Sequence, residues 1–345
     1  MKTLRCIVPG PGRVDIETID LPETGPGQLR VRTDFSLISP GTELAMFNGT
    51  HIGLPNPRNL FAKYPFPPGY AAIGMVEESG SDAFRAGMRV YFHGLHQAVQ
   101  VLDPARQIVL ELPAGIEPAH APLARMAQIA HTALTITGAP AGGGVVAVIG
   151  LGLVGHFAAR LYQRAGARVY GFDTLAARCR WAERAGLTNA VHVTGDLVET
   201  VLGAARGKVA IGVEATGIGA LAVSCLKMVE DRGTVALLGS PRNKVEIDTY
   251  ELIHRSGARL VGAHERLVPL IAAEGLDQRA VSRDMLAAIA SGEMGVGSLP
   301  LDIVRPDALA ESYRALDERK DEVLAVLLDW RGEQDRQMAK EGKPK

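Results

Sequence analysis

Residues 145–155 read Val-Val-Ala-Val-Ile-Gly-Leu-Gly-Leu-Val-Gly, and this stretch decides the fold of the chain. An apolar run of strand length leads into Gly150-x-Gly152-x-x-Gly155, and a stretch with helical character follows it. Asp173 ends a second short apolar run shortly afterwards. A strand, a Gly-x-Gly-x-x-Gly turn, a helix and a downstream acid in this order indicate a dinucleotide-binding βαβ unit.

Each glycine of this turn has a physical role in such a unit. Gly150 permits a tight turn out of the strand, and Gly152 lets the backbone approach a pyrophosphate. Gly155 lets the helix pack close to the sheet. The free N–H groups at the start of the helix, around Leu153 and Val154, favour bound phosphate. The alternative is a glycine-containing turn that binds nothing.

The acid at the end of the second strand predicts which dinucleotide binds. Asp173 would accept hydrogen bonds from ribose hydroxyls and would repel a 2′-phosphate, which favours NAD(H) over NADP(H). Arg178 follows closely and carries the opposite charge. Because ligands bind at the carboxyl ends of parallel strands, we also expect the turns at Thr216 and at Gly239-Ser240 to border the cofactor.

The composition excludes several classes of protein. The 345 residues are 47% hydrophobic and 22% charged, with a formal net charge of −1. No basic stripe predicts a nucleic-acid partner, and no apolar run reaches the length of about 20 residues that spans a membrane. Met1–Gly10 is broken too early for a signal peptide. Three widely spaced cysteines, Cys6, Cys179 and Cys225, fit buried thiols in a reducing cytoplasm.

The hydrophobic pattern changes along the chain and predicts two domains. Residues 1–118 contain short alternating runs cut by Gly and Pro, typical of a partly open β-barrel. Residues 119–264 alternate strands and helices, which predicts a doubly wound sheet of six parallel strands. Residues 265–331 should return to the first domain, and the charged tail 332–345 should be disordered.

This organisation resembles the medium-chain dehydrogenase/reductase superfamily over nearly the whole chain. The local similarities are Gly69–Val76, Gly87–Val90, Gly239-Ser240 and the nucleotide-binding stretch. The resemblance implies a GroES-like barrel domain, a Rossmann domain and a homodimer. Ser39–Glu43 is similar to a segment of the subset that includes the dehydrogenase of bacteriochlorophyllide biosynthesis, which oxidises a hydroxyethyl group to acetyl.

The chain departs from the zinc-containing members of that superfamily. Ser36–Glu43 lacks their cysteine, and Tyr70 and Ala71 stand where their histidine and glutamate would be. Arg125 occupies the third ligand position, and no cysteine lies between Cys6 and Cys179 to build a structural zinc lobe. Zinc needs converging N, S or O ligands. The sequence therefore predicts a zinc-independent member with no metal site.

Without a metal ion, four side chains are candidates for the catalytic work, each with a structural alternative. Arg125 would hold a substrate carboxylate, phosphate or carbonyl oxygen, or would pair structurally with Glu43. Tyr70 would donate to the reacting oxygen, or would fill the space of the missing ligand. Thr42 would relay the substrate proton, or would cap a turn. His131 would line the nicotinamide end of the site, or would be a packed core histidine.

The sequence as a whole predicts an NAD(H)-dependent oxidoreductase that interconverts a small alcohol and a carbonyl compound without zinc. The long loop Asn48–Pro68, with His51 and Lys63, should shape the substrate pocket. Two alternatives remain open at this point. One is an NADPH-type quinone or enoyl reductase of activated double bonds, and the other is a cofactor-binding protein without turnover.

Overall fold

The structure is a computed structural model that describes residues 1–267 and 277–333. In chain order the strands are β1 (Lys2–Ile7), β2 (Asp15–Asp20), β3 (Leu29–Leu37), β4 (Ala72–Ser79), β5 (Arg89–Phe92), β6 (Val99–Leu102), β7 (Val109–Glu111), β8 (Val145–Ile149), β9 (Arg168–Asp173), β10 (Ala190–His192), β11 (Val209–Glu214), β12 (Val229–Leu237), β13 (Arg259–Gly262), β14 (Leu301–Val304) and β15 (Ala325–Asp329). The α-helices are α1 (Thr42–Phe47), α2 (Ala124–Thr137), α3 (Leu153–Arg164), α4 (Ala176–Arg184), α5 (Leu197–Ala205), α6 (Gly219–Met228), α7 (Gln278–Ala290) and α8 (Leu309–Glu318).

The chain forms two compact units, whose boundaries differ from those predicted. One unit contains Met1–Arg125 and the residues from Leu301 on, and the other contains Met126–Pro300. The sequence placed the first boundary at residue 118 and the return at residue 265. The first boundary falls inside α2, which the 3₁₀ turn Pro118–Leu123 precedes.

The late return to the first unit has a physical cause in the second unit. Arg164 on α3 binds Asp284 on α7 through two hydrogen bonds of 2.8 and 2.9 Å. Gly295 also lies so close to the backbone of Ala185 that a Cβ there would overlap it. The segment that follows residue 277 therefore packs within the second unit, and the return begins at β14.

The first unit is built on a seven-stranded mixed sheet. Its order is β14-β15-β3-β4-β5-β7, and β6 also pairs with β3. The predicted strands near residues 28–33, 72–78 and 89–92 correspond to β3, β4 and β5. One apolar cluster packs around the fully buried Leu29, Val31 and Phe92. This arrangement fits the predicted partly open barrel, and it fixes the segment after β3 that begins with Ser39.

The second unit contains the predicted six-stranded parallel sheet. Its order is β10-β9-β8-β11-β12-β13, with β8 paired to β9 and β11. All five residues of β8 are buried, as expected of a strand covered on both faces. The predicted Rossmann fold is therefore confirmed. The sheet reverses its order beside β8, which places a crevice for ligands at the end of that strand.

Parts of the prediction fall on residues that the structure does not describe. Of the tail predicted to be disordered, residues 334–345 lie outside the described residues. In the described part of the chain, no helix has the length and hydrophobicity needed to cross a membrane. All three cysteines are buried free thiols, as the sequence predicted.

A buried histidine on α3 makes the stability of the second unit depend on pH. The imidazole of His156 is 1% exposed and bonds the Met294 carbonyl at 3.3 Å through Nε2. Its Nδ1 has no hydrogen-bond partner among the described residues. Burial lowers the pKa of His156 to about 4, because the charged imidazolium would lose its hydration.

We therefore expect the free energy of unfolding to fall as the pH drops from about 6.5 to 4, because in this range His156 binds a proton in the unfolded chain but not in the folded chain. His156 alone would contribute roughly 3 kcal/mol to this fall. His156→Phe should flatten the pH dependence of urea unfolding in this window, and the exposed His254→Phe controls for the loss of one imidazole. An unchanged pH dependence in His156→Phe would contradict the assignment.

Candidate active site

A fully buried carboxylate organises the first unit at the start of α1. Glu43 accepts the backbone N–H of Ser39 on Oε1 at 3.0 Å. Its Oε2 accepts the Tyr313 hydroxyl at 2.7 Å and pairs with Nε2 of His96 at 2.9 Å. A buried charge needs such partners, because it has lost its hydration. The carboxylate thus joins α1, the loop before β6 and α8.

The far side of the His96 ring continues the network. Nδ1 lies 2.7 Å from Oγ of Ser36, and the same oxygen accepts the indole N–H of Trp330 at 2.9 Å. When Ser36 donates to Nδ1, the Nε2 proton of His96 is left for Glu43. Burial and the nearby Glu43 raise the pKa of Tyr313, so that its hydroxyl stays a donor.

Tyr70 lies beside this network together with two other predicted catalytic residues. Its hydroxyl donates to Oγ of Ser39, and the side chain of Thr42 also bonds it. The Arg125 guanidinium carbon lies 5.0 Å from the centre of the Tyr70 ring, within cation–π range. Burial raises the pKa of Tyr70 to about 12, although the hydroxyl of Ser39 and the charge of Arg125 oppose the rise.

These side chains do not fit a zinc ion. Ser39 is bonded to Tyr70, Ala71 has no ligand atom, and the positive charge of buried Arg125 would repel a cation. In the two described ranges, no group of three or more His, Cys, Asp or Glu residues is placed to hold a metal ion. The polar groups gathered here are hydroxyls, a phenol and a guanidinium, which can donate hydrogen bonds.

Two pockets of the first unit meet at Tyr70. The larger, of about 430 Å³, is lined by residues of β2 and the loop before β6, including Asp20, Tyr70 and Gln97. The smaller, of about 290 Å³, is formed by the loop after α1 and contains Phe61, Lys63 and Tyr70. The predicted involvement of the loop Asn48–Pro68 in a pocket agrees with this geometry.

The glycine turn in the second unit has the shape that a pyrophosphate requires. Gly150 has φ +93°, a left-handed conformation that favours glycine. A Cβ at Gly155 would overlap the carbonyl oxygen of Gly150. Gly152 precedes α3, so that the free N–H groups at Leu153 and Val154 begin the helix. The turn is therefore a cradle that any side chain would fill.

Asp173 and Arg178 stand beside this cradle. The Asp173 carboxylate accepts the N–H groups of Leu151 and Leu175, each at 2.8 Å. A carboxylate has further lone pairs, so it can still accept the hydroxyls of a ribose. Nη1 of Arg178 lies 3.6 Å from the same carboxylate and 3.9 Å from an ideal Cβ on Gly152. Both side chains are thus fixed against the turn.

The two other predicted cofactor turns meet each other. A Cβ on Gly239 would collide with the backbone N of Gly217, so the turn after β12 lies against the turn after β11. Glu214 is buried at the end of β11 and accepts the N–H and hydroxyl of Thr216. Ser240 is exposed beside them. Burial raises the pKa of Glu214, and these hydrogen bonds oppose the rise.

His131 has a local partner. Its Nδ1 lies 2.9 Å from Oγ1 of Thr135, one turn further along α2. Burial lowers the pKa of His131, which favours the neutral ring. It belongs to the second unit, whereas Thr42, Tyr70 and Arg125 are brought together in the first. Its catalytic role stays a prediction.

Sequence reasoning missed the residues that support the site. His96, Tyr313 and Trp330 are far apart in the chain and belong to no motif. Glu214 ends a strand, and its position two residues before Thr216 was a signal that could have been used. The contacts of Tyr313 and Trp330 depend on the return of the chain to the first unit, and those of His96 join distant residues, so no local pattern reveals them.

Comparison with known proteins supports this assignment of the fold and the nucleotide-binding half. Residues 154–269 match the model of the zinc-binding dehydrogenase family. The chain is 38% identical over 95 residues to the 2-desacetyl-2-hydroxyethyl bacteriochlorophyllide A dehydrogenase of Cereibacter sphaeroides, covering 27% of this chain and 28% of that protein. It is 26% identical to an alcohol dehydrogenase of Rhizobium meliloti over 69% of this chain and 77% of the relative.

Solved structures share the fold at low sequence identity. The 2R,3R-butanediol dehydrogenase of Bacillus subtilis superimposes with a TM-score of 0.77 at 18% identity, over 95% of this chain and 99% of that one. An alcohol dehydrogenase from Escherichia coli with NADH bound gives 0.78 at 13%, and a dehydrogenase from Sinorhizobium meliloti with NADP bound gives 0.73 at 20%, with the same coverage. The predicted fold class is thus confirmed.

The network around Glu43 leads to a prediction about stability. Glu43→Ala leaves His96, Tyr313 and the Ser39 amide without their common acceptor, and should reduce the free energy of unfolding by about 3–5 kcal/mol. Tyr313→Phe removes one donor and should cost about 1 kcal/mol. Urea unfolding of the two variants tests this order, and equal losses would show that Glu43 does not organise the network.

Proposed function

We propose that this protein is an NAD(H)-dependent oxidoreductase that interconverts an alcohol and a carbonyl compound, with hydrogen-bonding side chains in the place of zinc. The observation that carries the proposal is the cluster of Tyr70, Ser39, Thr42 and Arg125 beside two pockets. The alcohol dehydrogenases and the butanediol dehydrogenase among its relatives and structural neighbours support the reaction class.

Tyr70 is the group proposed to act on the reacting oxygen. With a pKa of about 12 its hydroxyl is protonated at neutral pH, and its one proton, which Ser39 accepts in the structure, would turn to a carbonyl oxygen when substrate binds. When that proton passes to the substrate oxygen, the hydroxyl of Ser39 or Thr42 would give its proton to the Tyr70 phenolate and take one from water in turn. The charge of Arg125 over the ring stabilises negative charge on the phenol oxygen in the meantime.

The residues around the glycine turn fit a dinucleotide. Gly150, Gly152 and Gly155, with the N–H groups at Leu153 and Val154, would hold the pyrophosphate. Asp173 would bind the ribose hydroxyls, and Arg178 would border them. The turns at Thr216, Gly239 and Ser240 complete the proposed binding site. NAD(H), when bound, supplies the hydride acceptor or donor for the carbon atom of the substrate.

Two further proposals follow from the superfamily and the composition. The protein acts as a homodimer in the cytoplasm, on a small molecule and without nucleic-acid or membrane partners. Turnover separates the proposed reaction from the two alternatives. An enoyl or quinone reductase would reduce only activated alkenes or quinones with NADPH, and a cofactor-binding protein would bind NADH without any turnover.

The role of Tyr70 predicts a loss of rate without a loss of cofactor binding. Tyr70→Phe should reduce kcat for the reduction of acetophenone by about 100-fold, in line with the usual contribution of a positioned proton donor. The dissociation constant of NADH, measured by fluorescence titration, should not change.

The control for this substitution is Tyr64→Phe. Tyr64 lies in the neighbouring loop and donates its hydroxyl to the Met46 carbonyl. That variant should retain kcat within about twofold, since it lacks only a bond away from the reacting oxygen. Equal rates for Tyr70→Phe and Tyr64→Phe would rule out Tyr70 as the donor.

Asp173 predicts the choice between the two nicotinamide cofactors. The wild-type protein should bind NADH more tightly than NADPH, because the carboxylate repels a 2′-phosphate. Asp173→Asn keeps one acceptor oxygen for a backbone N–H and removes the charge. We expect it to reduce the ratio of the dissociation constant of NADPH to that of NADH by at least about tenfold, which is about 1.4 kcal/mol. Tighter binding of NADPH by the wild type would instead favour the enoyl or quinone reductase.

A further inference from the structure

We propose that the substrate of this site is an apolar alcohol or ketone that carries a carboxylate or another anionic group away from its reacting carbon. The inference rests on the proposed function for the reaction itself and adds the class of substrate. It assigns the smaller pocket at Tyr70 to the apolar body and Lys63 at the same pocket to the anion.

The pocket offers mainly apolar surface around one phenol and one ammonium group. Its volume of about 290 Å³ is at the small end of ligand pockets, which run from about 300 to 1,000 Å³. Leu60, Phe61, Phe66 and Leu95 contribute apolar side chains to it. Leu60 is 82% exposed and Phe61 53% exposed, so that binding a ring or chain would remove apolar surface from water.

The charged side chains around the smaller pocket are positive. Residues 44–76 contain no Asp or Glu, but they contain Arg58 and Lys63, in a chain with a net charge of −1. Lys63 is exposed, and in the described part of the first unit no carboxylate pairs with it. An ammonium group without a protein partner at the edge of an apolar pocket attracts an anion from solution.

The larger pocket at Tyr70 has the opposite character. Among the described residues that line it, the carboxylate of Asp20 is the negative charge, and Gln97, Gln100 and Gln107 add amides. An anionic substrate would therefore be repelled there and attracted to the side of Lys63. Tyr70 lines both pockets, so the sign of the charge beside each pocket is what distinguishes them as sites for an anion.

A matched pair of alcohols tests the proposal. Para-(1-hydroxyethyl)benzoate and para-(1-hydroxyethyl)benzamide differ in the charge at the end of the ring, and NAD⁺ reduction reports the oxidation of either. We expect kcat/KM for the benzoate to exceed that for the benzamide by about fivefold, through KM, as an exposed ion pair allows. The preference should shrink at about 0.5 M salt.

Three variants test whether Lys63 causes the preference for the benzoate. Lys63→Met should bring the ratio of kcat/KM for the two alcohols to about one, and Lys63→Arg should keep the preference for the benzoate. Arg58→Met is the matched control, because Arg58 is an exposed cation of the same loop outside the pocket. A ratio near one in the wild type, or an equal effect of Lys63→Met and Arg58→Met, would overturn the proposal.

Failure of the proposed reaction can be told apart from failure of this inference. If neither alcohol is oxidised, the proposed reaction fails for these compounds, and calorimetric titration of both compounds into the protein with NADH then decides the substrate class independently of turnover. Tighter binding of the benzoate that depends on Lys63 would uphold it. Equal binding of the two compounds, or a preference that Lys63→Met leaves in place, would overturn it.

Discussion

The buried carboxylate of Glu43 is the constraint on which the first unit depends. It accepts hydrogen bonds from a loop amide, an imidazole and a phenol that come from three separate parts of the chain. Such a charge is costly to bury unless its partners stay in place. The position of Ser39 follows from this bond, and the position of Ser39 in turn fixes the hydroxyl of Tyr70.

We propose that the same constraint lets the site work without the metal ligands that zinc members of the superfamily carry. Where zinc members would place cysteine and histidine, this chain has hydroxyl groups and a phenol, with a guanidinium over the phenol ring. A Lewis acid stabilises negative charge on an oxygen atom, and fixed hydrogen-bond donors beside a cation do the same. In this proposal the buried network keeps the donors from turning away.

Much of the second unit could be predicted from its sequence, because the sequence patterns that determine its strands and turns are local. The glycine turn after β8, the acid at the end of β9 and the strand lengths each follow from residues within a short window. The first unit could be predicted only in part. Thr42, Tyr70 and Arg125 were found through the motif positions they replace. Trp330 meets Ser36 only after the chain has returned from the second unit, and the contact of His96 with Ser36 joins residues 60 positions apart.

We propose that side chains, and not a metal ion, support the transfer of hydride in this protein. The most direct test measures NADH-dependent reduction of acetophenone together with the metal content of the same sample, before and after dialysis against a strong chelator. The account predicts undiminished turnover in protein that contains far less than one metal ion per chain. Activity that falls with the zinc content and returns when zinc is added would contradict it.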